Sequence, residues 1–123
     1  MSTTLLITQL RSDSDVLALR RAGREICRLL GLDTQDQVRV ATALSEIGRS
    51  AVGSGTADVV VGVLPGLPQA TLRAEIVAGT PFLVEGDSSD GGVPAARRLV
   101  PGLQVDPPGA RGLVSTALPA TAR

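Results

Sequence analysis

The chain has 123 residues, the size of a single domain, and its 12 basic residues, all arginine, balance 12 acids to zero net charge. It has no His, Lys or Asn, which excludes a histidine base, an imidazole metal ligand, a P-loop lysine and a Schiff-base lysine. Phe82 is its one aromatic residue, so neither the stacking platforms nor the basic footprint of a nucleic-acid binder is present.

Thr3 to Leu10 alternates weakly and is rich in β-formers, which predicts a strand. Ser12-Asp13-Ser14-Asp15 is a cluster of N-cap residues. Behind it, Val16, Leu19, Ala22, Ile26, Leu29 and Leu30 recur at helical spacing, predicting an amphipathic helix from about Ser14 to Leu30. Gly31 stands where a left-handed C-terminal cap belongs. Arg20, Arg21, Arg24 and Arg28 cover much of the remaining surface, either as a solvated face or as a docking surface for an acidic partner. Cys27 is the single cysteine. It excludes an intramolecular disulfide and reads as a small apolar residue on this helix.

Thr34 and Gln37 have the spacing of a capping box. Val38, Ala41, Leu44, Ile47 and Ala51 form the stripe of a second helix that extends to about Val52. Ala57 to Leu64 has Val on both parities, the pattern of a covered strand. Pro65-Gly66-Leu67-Pro68 reads as a turn, and Ala70 to Val77 as the partner strand of a hairpin, with Leu72, Ala74 and Ile76 on one side. Gly79 to Gly92 is polar and reads as a loop. Pro94 to Val100 follows as a short helix, and Leu103–Val105 and Gly112–Leu118 as late strands around Pro107-Pro108-Gly109.

The order β-α-α-β-β-loop-α-β-β predicts an α+β fold in which helices cover one face of a mixed or antiparallel sheet. No run approaches the ~20 apolar residues of a membrane span. The start of the chain lacks a signal-peptide layout, and with the lone cysteine this predicts a cytoplasmic location without membrane contact.

Ser45-Glu46-Ile47-Gly48-Arg49-Ser50, within Asp15 to Val52, resembles the bacterial anti-sigma-factor type of serine/threonine kinase. That type belongs to the histidine-kinase-like ATPase superfamily, and the nearest branch is that of the switch kinases of stress signalling, which act on STAS-domain partners. Leu17, Arg20-Arg21, Gly23-Arg24, Leu30-Gly31-Leu32, Asp36-Gln37 and Val40-Ala41-Thr42-Ala43 carry the resemblance with Ser45-Glu46. Further on, Gly91-Gly92-Val93-Pro94 and the helix behind it resemble the family's glycine-rich second box. Pro108-Gly109 and Gly112-Leu113-Val114 resemble its terminal hairpin.

The resemblance implies a two-layer sandwich with a nucleotide between helices and sheet. It implies Glu46 as the carboxylate that takes a proton from the attacking hydroxyl. Ser50 stands where the family holds magnesium with Asn; Arg49 beside it is a nucleotide-binding position by the resemblance, and by itself it reads as pairing with a nearby acid or facing a partner. Ala78 and Thr80 stand at the Asp and first Gly of the adenine motif, and Gly91-Gly92 at the phosphate turn. The side chain of Ala78 accepts no hydrogen bond, and the lid from Gly79 to Asp90 is short, with Ser88-Ser89 in place of a Ser-Thr pair. These departures predict a degenerate member: a regulatory domain that binds a STAS-type or sigma-pathway protein, without a cofactor. An active serine/threonine kinase using Mg-ATP through Glu46 and Ser50 is the alternative. A homodimer is compatible with either.

Overall fold

The computed structural model describes residues 3–53, 55–65, 70–78, 92–100, 102–106 and 111–117. In chain order the elements are β1 (Thr3–Leu10), α1 (Asp13–Leu29), α2 (Thr34–Gly53), β2 (Ala57–Leu64), β3 (Thr71–Ala78), α3 (Gly92–Leu99), β4 (Gln104–Asp106) and β5 (Arg111–Ala117). Every predicted element is present, with ends displaced by at most two residues. The predicted lid, the turn after Pro65 and the Pro107-Pro108-Gly109 turn fall outside the described residues.

The fold is an α+β two-layer sandwich. The five strands run in the order β1-β2-β3-β5-β4, and each neighbouring pair is antiparallel. Of the two sheets the sequence allowed, mixed or antiparallel, the antiparallel one forms. β5 inserts between β3 and β4, an order that hydrophobic periodicity does not encode. Helix α2 lies between α1 and α3 and packs on both.

Pairing aligns residues of neighbouring strands in rows. Leu10 opposes Ala57, which opposes Ala78; Thr8 opposes Val59, which opposes Ile76. Leu10, Val59, Val61 and Ile76 are fully buried beneath Leu19, Ile47 and Cys27 of the helices. Burial of such aliphatic side chains contributes about 1.5–3 kcal/mol each, which is how a core forms here with almost no aromatic residues. The two-sided cover that the valine run predicts is incomplete: on the other side of β2 Asp58 is exposed and Val60 and Leu64 are half-buried.

Helix ends follow from local hydrogen bonding. At the start of α1, Ser12 is extended but makes no side-chain cap, and the Arg11 N–H instead donates to Oδ2 of Asp15 at 2.8 Å. At its end Gly31 adopts φ 87°, and the Leu32 N–H reaches back to the Cys27 carbonyl, the Schellman closure that the glycine predicts. For α2 the predicted Thr34 cap is corrected. Asp33 is the cap, accepting the Asp36 N–H at 2.8 Å, while Gln37 donates to the Leu32 carbonyl. A carboxylate one residue earlier reaches the free N–H groups of the first turn, so the threonine is not needed there.

Two apolar stripe assignments are also corrected. Leu29 is 68 % exposed, and Gly23 and Cys27 fill the buried stripe of α1 in its place. Val38 is 40 % exposed at the outer edge of α2.

Candidate functional site

Glu46 and Ser50 are one turn apart in the second half of α2, so both leave the helix on one flank. Gly48 lies between them and faces the opposite way. A Cβ there would stand 3.2 Å from Leu19 Cδ2 and 3.3 Å from Leu10 Cδ1, so the missing side chain lets α2 settle onto α1 and the end of β1. Leu10 pairs with Ala57 and Ala57 with Ala78. The turn of α2 that carries Glu46 and Ser50 therefore stands over the sheet end at which β3 finishes.

Glu46 is half-buried, and its Oε2 accepts a 2.7 Å hydrogen bond from Nη1 of Arg49, whose side chain is 60 % exposed. Oε1 accepts no hydrogen bond among the described residues. Ser50 is half-buried on the same helix. The adjacent Ser45 is not available for chemistry: it is 3 % exposed and donates its hydroxyl to the Thr42 carbonyl at 2.7 Å.

The other residues singled out in the sequence are distributed around this point. Ala78 is the last residue of β3, and Gly92 is the first of α3, the helix that packs against α2. Thr80 and Gly91 lie outside the described residues. Among the described residues no group of three or more His, Cys, Asp or Glu could hold a metal ion, and no helix is long and apolar enough to cross a membrane.

Cys27 is fully buried beside this helix pair. Its thiol is pushed up to about 11 by desolvation and, second, by the charge of Asp36, which keeps it protonated and inert. The small apolar role predicted for it holds.

On α1 the four arginines divide. Arg28 is paired with Glu25, whereas Arg20, Arg21 and Arg24 carry no hydrogen bond or ion pair among the described residues. These three surround Leu17, Val38 and Ala41. Periodicity concealed part of this surface, because Val38 falls within one turn of the apolar stripe of α2.

No family model matches the sequence. A 42-residue segment, 34 % of the chain, is 38 % identical to the serine/threonine-protein kinase RsbT of Bacillus subtilis (strain 168). That segment spans 32 % of the kinase, about a third of its length. The chain is thus similar in part to a serine/threonine-protein kinase.

Proposed function

We propose that this chain is a regulatory domain of the anti-sigma or switch-kinase kind, which acts by holding a STAS-type or sigma-pathway protein and whose nucleotide site is weakened. The observation that carries this reading is the joint state of the flank bearing Glu46. The similarity to RsbT supports a kinase-like scaffold. Yet Arg49 takes one oxygen of the carboxylate, Ser50 offers a short hydroxyl for a metal, and the residue that ends β3 is alanine.

These groups fit a magnesium nucleotide poorly. A buried adenine amino group left without an acceptor at Ala78 costs about 1–3 kcal/mol. A serine hydroxyl reaches less far than a carboxamide oxygen. Each loss alone could be offset by water or by another residue, but together they remove both the base contact and much of the metal's support. Protein contact asks for neither.

The alternative is an active kinase in which Glu46 serves as the base and Ser50, with waters, supports magnesium. Two observations favour it: Glu46 and Ser50 keep a shared flank, and Oε1 of Glu46 is free among the described residues.

The test is to mix the protein with STAS-domain proteins of the same organism and ATP labelled on its terminal phosphate. The proposed function predicts a complex on gel filtration that needs no nucleotide, and no label on either protein. Label transfer that Glu46→Gln abolishes contradicts it and supports the kinase.

A further inference from the structure

The outer edges of α1 and α2 bound a groove of about 250 Å³. Leu17 and Val38 supply its apolar part, with Ala41 beneath them, and Arg20, Arg21 and Arg24 stand around it. Leu17 is 47 % exposed and Val38 40 %, whereas Ala41 is 1 % exposed. The groove therefore has a closed floor and two accessible aliphatic side chains at its lip.

Its charge is unbalanced. Arg20 and Arg24 are four residues apart, a spacing at which like charges oppose the helix that carries them. The nearby acid, Glu25, is held by Arg28. A merely solvated helix face alternates its charges, so that acids relieve such repulsion. Here three guanidinium groups without a partner among the described residues converge on two exposed aliphatic side chains. Arginine beside an apolar anchor is the composition of a protein-binding surface, and its planar fork matches carboxylates in pairs of hydrogen bonds.

We propose that this groove docks an acidic amphipathic helix from a protein partner. Apolar side chains on one face of that helix lie against Leu17 and Val38, and flanking Glu or Asp residues pair with Arg20, Arg21 and Arg24. A helix suits the site because a groove between two helices accepts apolar anchors spaced at three and four residues. A free phosphate or nucleotide would satisfy the arginines but leave both aliphatic side chains in water. The proposal deepens the regulatory reading by naming the chemistry of the partner, and it rests on that reading.

The probe is a fluorescein-labelled synthetic helical peptide with Leu on one face and Glu on both flanks, compared with a scrambled peptide of equal composition and no apolar face. Anisotropy is measured with the whole chain. The amphipathic peptide binds saturably, and more weakly as salt rises. Arg20→Glu with Arg24→Glu, and separately Leu17→Ser, each weaken binding about tenfold or more, as loss of charge-assisted contacts or of an interface anchor does. All three residues are exposed, and far-UV circular dichroism checks each variant's fold.

Absence of binding overturns the proposal. Equal binding of the scrambled peptide, or an unchanged affinity in Leu17→Ser, also overturns it, leaving only an anion-attracting patch. Self-association of the chain that the Arg20→Glu, Arg24→Glu variant dissolves overturns it in favour of a second copy. None of these outcomes involves Glu46, Ser50 or nucleotide. Failure of the groove therefore remains distinguishable from failure of the regulatory reading, which the labelling experiment decides.

Discussion

Arg49 donates from Nη1 to Oε2 of Glu46 at 2.7 Å, three residues back along α2. The pair is half in solvent, because the arginine side chain is 60 % exposed and the glutamate 19 %. Ion pairs of this kind contribute at most about 1 kcal/mol. Arg49→Ala should therefore change unfolding free energy in urea by no more than about that amount. A larger loss would give the pair a structural role that this geometry does not support.

Asp33, rather than Thr34, caps α2. Asp33→Ala should lower stability by about 0.5–2 kcal/mol, the usual loss when an N-cap acceptor is removed, while Thr34→Ala should stay within a few tenths of a kcal/mol. Urea unfolding of the two variants checks the assignment, and the reverse ranking would refute it.

Two glycines should respond oppositely to alanine. At Gly62 in β2 a Cβ would stand 2.7 Å from the Thr3 carbonyl oxygen of β1, beside the register shift between Thr4 and Leu6. Backbone must move to admit it, so Gly62→Ala should destabilise by about 1–3 kcal/mol. Gly53 closes α2 with nothing within 4 Å of the same position, and its φ is not positive. Gly53→Ala should stabilise by a few tenths to about 1 kcal/mol. Thermal unfolding of both variants measures the contrast.

The Cys27 thiol titrates near 11 in the folded protein against 9.0 for a free one. Between these values the unfolded chain has released the proton and the folded chain has not. The stability this group contributes is therefore whole below pH 9.0 and declines as pH rises towards 11. Cys27→Ala should flatten that decline. In the native protein at pH 8 a thiol reagent should react only as fast as the fold opens. Rapid stoichiometric labelling would contradict the burial.

Much of this architecture was legible in the sequence because few features compete locally. The alternation of Leu72, Ala74 and Ile76 and the Gly31 stop each force one reading, and each forms as read, whereas the valine run of β2 forms a strand without the full two-sided cover it implies. Leu29 and Val38 went wrong because apolar spacing places a residue near a stripe without saying where the covering layer ends. The Asp33 cap was missed because Thr34 and Gln37 offered a competing box one residue later. The place of β5 between β3 and β4 is a tertiary choice with no local signal.

Of the site, the i, i+4 relation of Glu46 and Ser50 was legible, since it needs only helical geometry. That Arg49 would meet a nearby acid was legible; which acid was not, because an exposed arginine has several partners within reach and only the folded surface selects one. The groove was half legible: four arginines stood out on one helix, but the pairing of Arg28 with Glu25 and the exposure of Leu17 beside Val38 arise from helix packing.

The central claim is that the flank bearing Glu46 no longer holds a magnesium nucleotide with useful affinity. The most direct measurement is the thermal unfolding of the purified chain across a titration of Mg-ATP to millimolar levels. A single site at 100 times its dissociation constant would add about 2.7 kcal/mol of stability, a shift readily measured. The account predicts no change in melting temperature. A saturable rise that Glu46→Ala or Ser50→Ala removes, in variants that keep their fold, would contradict it.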